Sequence, residues 1–135
     1  MTEEDDTLID EIRILHNDLA RWLGEPDAHE SLERFGAQLH RDFSMVMLQG
    51  VIVPRDKLLA GLENTGHSMP GLTIDIVDID ILHRSADCAV ARFREIHHHP
   101  DGAASRFTTA LILPDPAARN GLRWHNVHET AAAHQ

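Results

Sequence analysis

The sequence has few of the features that would place it outside the cell or in a membrane. Its single cysteine, Cys88, has no second thiol with which to form an internal disulfide, which is typical of a reducing compartment. No apolar run approaches the roughly 18 residues that span a bilayer. The acidic start, Met1–Asp6, also differs from a basic and then apolar secretion signal. We therefore expect a cytoplasmic protein with no membrane partner.

Basic residues are also scarce. The 12 Lys and Arg residues are outnumbered by 22 Asp and Glu residues, which gives a formal net charge of −10 at pH 7. A polyanion would meet net repulsion, so nucleic acid is not an expected partner. The sequence has no glycine-rich phosphate loop, no serine with nucleophile-elbow surroundings and no activating group beside Cys88. These absences argue against phosphate-loop and nucleophilic chemistry.

The remaining composition is that of one globular domain. The chain has 135 residues, of which 42% are hydrophobic and 25% charged, enough to bury one core but too short for two. We expect a single domain over residues 1–135, with residues 1–6 and 131–135 as flexible tails.

Apolar spacing divides this domain into a helical part and a part made of strands. Apolar residues recur at three- and four-residue steps over Thr7–Leu23, which predicts an amphipathic helix. Asp27 with Glu30 predicts a capping-box-like start of a second helix, and Pro54 suits the first turn of a third. The predicted strands are Phe43–Leu48, Thr73–His83, Cys88–His99, Arg106–Leu113 and Leu122–Thr130. The short turns between the late strands predict antiparallel pairing.

The strand Thr73–His83 is apolar on both of its expected faces. Alternation puts Ile74, Ile76 and Leu82 on one face and Val77, Ile79 and Ile81 on the other. A sheet that is apolar on both faces needs a second cover. The pattern therefore favours a homodimer, with internal packing as the alternative.

Three segments resemble parts of a known superfamily. They are Arg41–Ser44 followed by Gly50, then Arg55–Leu59, and the last strand Trp124–Thr130, whose Trp-x-x-Val-His pattern is similar to the closing strand of SnoaL-like proteins. Together with the order of elements, they make the chain resemble the nuclear-transport-factor-2-like and SnoaL-like superfamily. The resemblance implies an α+β fold with N-terminal helices packed in a curved antiparallel β-sheet, a cone-shaped, cystatin-like roll. It further implies an apolar pocket, a homodimer formed through the outer sheet face, and no cofactor.

The resemblance also tests two catalytic mechanisms. Ketosteroid isomerases of this superfamily use an aspartate at the end of the first strand as a base, and Met47 stands at the matching position, where a thioether cannot remove a proton. The strand Arg106–Leu113 has Thr108 and Thr109 but no carboxylic acid to stabilise an oxyanion, so this mechanism is not expected. SnoaL-type cyclases use an acid/base residue on a late strand, which makes His128 a catalytic candidate.

Other residues are candidates for ligand or metal binding. The ligand-binding candidates are His16, Met47 and Thr108 and, on the late strands, Arg92, Arg94, Asn126 and His128. The arginines would match a carboxylate, although pairing with Asp75 or Glu129 is the alternative. His97 and His99 share a strand face and could chelate a metal with His125 or Glu95, but a solvent-exposed hairpin end is the simpler interpretation, so no metal is expected.

Three functions remain open. The first is a pocket protein that binds a small organic molecule, with an organic acid as one candidate. The second is a SnoaL-like lyase, cyclase or isomerase that uses a late-strand histidine as its acid/base. The third is a non-catalytic dimerisation module with a filled core.

Overall fold

Three α-helices lie in residues 2–133, the part of the chain that the computed structural model describes. They are α1 (Glu3–Gly24), α2 (His29–Ala37) and α3 (Arg55–Glu63). None of the helices in this part is both long and apolar enough to cross a membrane.

The first helix begins earlier than its apolar pattern indicates. Thr2 Oγ1 accepts a hydrogen bond from the Asp5 N–H at 3.1 Å, and the Asp5 carboxylate accepts one from the Thr2 N–H at 3.1 Å. This capping box closes the N-terminus of α1, so the predicted start at Thr7 is wrong and residues 3–6 form the first turn. Met1, which we assigned to the N-terminal tail, lies outside the described residues.

The start of α2 also differs from the prediction. Asp27 has a left-handed backbone with φ of 56°, and Ala28 precedes the helix without a side-chain cap. The predicted capping box of Asp27 with Glu30 is therefore wrong. The physical reason is that Asp27 lies in the turn after Pro26 and lacks the extended backbone that an N-cap residue adopts.

The strands form one open sheet. In chain order they are β1 (Leu39–Val46), β2 (Ile52–Pro54), β3 (Thr73–Arg84), β4 (Ala89–His99), β5 (Gly102–Pro114) and β6 (Leu122–Ala131). Their order across the sheet is β2-β1-β6-β5-β4-β3. The predicted antiparallel pairing of the four late strands is confirmed, whereas β1 runs parallel to β6 and makes the sheet mixed. The last strand includes Ala131, while His134 and Gln135 of the expected C-terminal tail lie outside the described residues.

Strand β3 buries one face, and the prediction that both faces are buried is wrong. The pairing of Val77 with Arg94 and of Asp80 with Arg92 leaves one extra residue on β3, and Asp78 there has φ of 54°. Such a bulge reverses the face of the sheet toward which the following side chains alternate. As a result Ile74, Ile76, Ile79 and Ile81 all pack against the same core, while Leu82, beside a second register shift, is 48% exposed.

The core lies between the concave face of the sheet and the helices. Ile12 of α1, Phe93 of β4 and Trp124 of β6 are fully buried, and each contributes roughly 1.5–3 kcal/mol relative to an exposed side chain. Trp124 and Val127 both face this core although they are three positions apart, because a register shift on β6 adds a residue at His125. The sheet thus packs against α1, as the sequence indicates.

The buried carboxylate of Glu11 links α1 by hydrogen bonds to the connection between β5 and β6. Glu11 has no exposed surface, and both of its oxygens accept hydrogen bonds from the Arg119 guanidinium, at 3.0 and 3.2 Å. Asn120 and the indole N–H of Trp124 donate to the same carboxylate at 3.1 and 2.9 Å. These contacts fix Trp124 beside the face of α1 that carries His16.

Candidate functional site

The concave face borders a partly open cavity of about 260 Å³ between the helices and the sheet. Its walls are largely apolar and include Leu15, Leu19, Phe43, Met47, Leu58 and Val127. Five polar side chains also line it: His16, Glu95, His97, Arg106 and Glu129. An apolar hollow with a few convergent polar groups is the usual form of a small-molecule site.

The five polar side chains form one end of the cavity, which we call the polar end. Glu95 lies at its centre, and each of its two oxygens has a hydrogen-bond partner. His97 Nε2 lies 2.9 Å from Oε1, His16 Nε2 lies 3.2 Å from Oε2, and Thr108 Oγ1 donates to Oε2 at 2.6 Å. Burial alone would raise the pKa of Glu95, but the charge of His16 and these three hydrogen bonds hold that pKa well below its ordinary value of 4.5. Glu95 is therefore a fixed, buried anion.

His16 carries the matching positive charge. Its Nδ1 lies 2.7 Å from the Ile12 carbonyl oxygen, which can only accept, so Nδ1 carries a proton. The contact of Nε2 with Glu95 then needs a second proton on either partner. Burial alone would lower the pKa of His16, but the Glu95 carboxylate outweighs it and raises that pKa above 6.5. We therefore assign an imidazolium to His16 and a carboxylate to Glu95.

Glu129 is the second carboxylate of the cavity and is held differently. Its Oε2 accepts a hydrogen bond from Arg106 Nη1 at 3.1 Å, while Oε1 has no hydrogen-bond partner among residues 2–133. Burial raises the pKa of Glu129 above 4.5, and the nearby charge of Glu95 adds to the rise against the opposing effect of Arg106. One cavity thus contains two carboxylates whose pKa values are moved in opposite directions.

Three of the predicted ligand-binding residues lie at this site. His16 and Met47 line the cavity, and Thr108 is fully buried beneath it as a hydrogen-bond donor to Glu95. The thioether of Met47 therefore occupies the cavity wall.

The other four predicted residues lie on the opposite face of the sheet. Arg92, Asn126 and His128 line a shallow groove on the outer face, and Arg94 shares that face, with its guanidinium 5.4 Å from the ring of Phe107. Arg92 lies 3.3 Å from Asp80. The expectation that these side chains line the pocket is corrected because strand alternation points their neighbours inward instead.

Strand alternation also explains what the sequence analysis missed. Glu95, Arg106 and Glu129 carry most of the polar end, but they were considered only as partners of other groups or not at all. Glu95 lies two residues from Phe93 on β4, and Glu129 lies two residues from Val127 on β6, so each shares the face of a buried apolar residue. This two-residue spacing from a buried apolar residue is the sequence signal that indicates an inward-facing carboxylate.

The two histidines considered as metal ligands lie in different surroundings. His97 faces the cavity and is engaged by Glu95, while His99 pairs with Gly102 at the hairpin end. Among residues 2–133 there is no group of three or more His, Cys, Asp or Glu side chains arranged to hold a metal ion.

Comparisons with known proteins identify the fold. A scan against protein-family models and a search of curated proteins each find no match. A solved structure of a nuclear-transport-factor-2-like protein of unknown function from Pseudomonas aeruginosa matches with a TM-score of 0.86 and 28% identity, over 94% of this chain and 99% of that one. This chain has the nuclear-transport-factor-2-like fold. The resemblance that the sequence indicates is thereby confirmed.

More distant structures agree on this fold. An uncharacterised protein with a cystatin-like fold from Caulobacter vibrioides matches with a TM-score of 0.69 and 20% identity, over 98% of this chain and 92% of that one. A protein of Novosphingobium aromaticivorans, provisionally described as a scytalone dehydratase, matches with a TM-score of 0.65 and 16% identity, over 96% and 89%. At such identities the nuclear-transport-factor-2-like fold is shared, and the function of each protein has to be argued from its own site.

Proposed function

We propose that the protein binds a small, largely apolar organic molecule in the cavity of its concave face. The observation that carries this proposal is a partly open hollow of about 260 Å³ with apolar walls and one polar end. Ligand pockets are commonly about 300–1,000 Å³, so the volume favours a compact ligand. The alternative of a dimerisation module with a filled core has less support, because such a core would leave no hollow of this size.

The charges at the polar end favour a neutral ligand over the organic acid considered from the sequence. That idea depended on Arg92 and Arg94, which lie on the outer face. Inside the cavity the two cations, His16 and Arg106, are already paired with Glu95 and Glu129, so a ligand carboxylate would add a negative charge beside these two carboxylates without an unpaired cation to balance it. Repulsion between like charges in a poorly solvated site costs more than in water.

The test is ligand binding by a protein whose cavity has been filled. Small neutral aromatic and alicyclic molecules would be screened by ligand-observed NMR against the wild type, Leu19→Trp and Leu82→Trp. Leu19 lines the cavity, whereas Leu82 is exposed, so the two variants make the same change in different places. We expect Leu19→Trp alone to lose binding, and equal binding by both variants would refute the proposal.

Proton transfer is the second candidate function, and one observation favours it. Enzymes that move protons often contain two titratable groups whose pKa values their surroundings push apart, as they are for Glu95 and Glu129. His128 lies on the outer face, so the late-strand histidine at this site is His97. A distant structural neighbour provisionally described as a scytalone dehydratase is consistent with chemistry of the lyase type.

A ligand found in the first screen permits a direct test of this candidate. The wild type and Glu129→Gln would be incubated with it in deuterium oxide, and exchange of its carbon-bound protons would be followed by NMR. Exchange by the wild type that Glu129→Gln slows at least about a hundredfold, the lower end of the range for general acid–base catalysis, would support catalysis. Absence of exchange would leave a binding protein.

The outer sheet face favours a second copy of this chain as the partner. Phe107 and Leu111 lie there in a shallow groove, among polar residues such as Thr109 and His128. We expect a concentration-dependent dimer in sedimentation velocity that Leu111→Glu dissociates and Leu82→Glu does not.

The lone Cys88 is consistent with a reducing compartment such as the cytoplasm.

A further inference from the structure

We propose that the polar end of the cavity recognises a hydroxyl group on an uncharged, ring-sized molecule, with the hydroxyl donating to Glu129 and accepting from Arg106. This inference depends on the proposed binding function, since it names the class of molecule that the same cavity takes.

The first step is to find which polar atoms of the cavity are available to a ligand. Glu95 is unavailable because His97 occupies Oε1, and His16 and Thr108 occupy Oε2. His16 is engaged at both ring nitrogens, by the Ile12 carbonyl and by Glu95. Glu95 and His16 thus already have a partner at each oxygen and ring nitrogen, while His97 bonds to Glu95 through Nε2.

The second step concerns the ion pair between Arg106 and Glu129. Only Oε2 of Glu129 is bonded, to Arg106 Nη1, so among the described residues Oε1 lacks a donor. A guanidinium has five N–H donors, and Arg106 uses a single nitrogen for this contact, so further donors remain beside the carboxylate. The cavity therefore presents an acceptor and a donor next to each other.

The third step matches this pair of atoms to a chemical group. A hydroxyl both donates and accepts, so it satisfies Glu129 Oε1 and Arg106 together. An ether only accepts, and it leaves the carboxylate oxygen desolvated without a partner, which is the costly outcome for a buried polar atom. A carboxylate also only accepts, so it could bond to Arg106 but would place a like charge against Glu129 Oε1.

The fourth step is size. An apolar protein cavity of about 150 Å³ holds benzene, with six non-hydrogen atoms. In proportion, the cavity of about 260 Å³ accommodates roughly ten. A single ring with a short alkyl chain and one hydroxyl has this size.

The experiment compares four alkylbenzene probes of similar size that differ in their polar group. Isothermal titration calorimetry at pH 7 would measure 4-propylphenol, 4-propylanisole, propylbenzene and 4-ethylbenzoate against the wild-type protein. We expect 4-propylphenol to bind at least about tenfold more tightly than 4-propylanisole, because the difference is one hydrogen bond to a charged group. The benzoate should bind most weakly, since it is the only anion of the four.

Two variants locate the effect. Glu129→Gln keeps the shape, and with its amide oxygen on Arg106 it presents an N–H donor to the ligand, so the phenol and the ether become equivalent acceptors. The tenfold ratio should then fall to about one, whereas Glu33→Gln, the same change at an exposed position of α2, should keep it. Thermal unfolding of both variants would establish that they are folded.

The outcomes separate the two proposals. Equal affinity of the phenol and the ether for the wild type, or tightest binding of the benzoate, would overturn hydroxyl recognition and leave the binding function standing. A ratio that persists in Glu129→Gln would also overturn it. If none of the probes binds, both the hydroxyl recognition and the proposed pocket function fall.

Discussion

The buried pair of Glu95 and His16 should contribute measurably to the stability of the fold, and Glu95→Gln tests this. The substitution keeps the shape of the side chain and removes its charge. Glu95 is 2% exposed and accepts from His16, His97 and Thr108, so an amide in its place cannot accept from all three with both of its terminal atoms. Removing one partner of a buried ion pair typically costs about 3–5 kcal/mol.

We expect the lower end of that range, about 3 kcal/mol, for a specific reason. Without Glu95, burial alone lowers the pKa of His16, so the imidazole sheds its proton and does not remain as an unpaired buried charge. For a domain of 135 residues, 1 kcal/mol corresponds to roughly 4 °C in Tm. Glu95→Gln should therefore lower Tm by about 12 °C.

The pH dependence of this loss is a sharper test than its size. The pKa of Glu95 is lowered, so its contribution is present above pH 4.5 and is lost as the pH falls through the folded-state pKa. The pKa of His16 is raised, so its contribution is present below pH 6.5 and is lost as the pH rises through its folded-state pKa. The difference in the free energy of unfolding between wild type and Glu95→Gln should therefore be largest between pH 4.5 and pH 6.5.

Urea unfolding followed by circular dichroism at several pH values measures this difference. Glu33→Gln makes the same chemical change at an exposed position and should change the free energy of unfolding by less than about 0.5 kcal/mol. A loss below about 1 kcal/mol for Glu95→Gln, or a loss that is the same at pH 5.5 and pH 9, would refute the assignment of a charged pair.

Three further expectations concern stability. Glu11→Ala should cost about 3–5 kcal/mol in urea unfolding, because it removes the fully buried carboxylate that pairs with Arg119 and leaves the buried indole N–H of Trp124 without its acceptor, and a smaller cost would show that water replaces the bonds. Gly66→Ala should lower Tm, since a Cβ there lies 2.8 Å from the Trp22 ring, whereas Gly61→Ala meets open space in α3 and should stabilise by up to about 1 kcal/mol. Because the pKa of Glu129 is raised, Glu129→Gln should gain stability over the wild type as the pH rises above 4.5, and a gain that persists below that pH would contradict this.

The sequence predicted the local elements well where one periodicity continued without interruption. The helical stripe of α1 and the alternation of β4 and β5 each run through a single element, so type and order were readable. Boundaries depended on contacts that the pattern does not encode, such as the capping box of Thr2 with Asp5, which moved the start of α1 to Glu3. The parallel pairing of β1 with β6 joins residues about 80 positions apart, and no local signal specifies it.

The candidate site was harder to predict, because it depends on which face of the sheet is concave. The sequence singled out His16 and Met47, which line the cavity, but it assigned Arg92, Arg94, Asn126 and His128 to the same pocket. A shift of one residue moves a side chain through the sheet, so neighbours such as His128 and Glu129 exchange roles according to register alone.

The amino-acid sequence by itself determined the helices, the late antiparallel strands, the resemblance to the nuclear-transport-factor-2-like superfamily and the absence of a base at Met47. The tertiary structure decided that Glu95, Arg106 and Glu129 meet at one end of a cavity and that the four isoleucines of β3 face one core. The physical reason is that bulges at Asp78 and near His125 reverse strand alternation. Their positions are set by pairing with distant strands, which a local pattern does not contain.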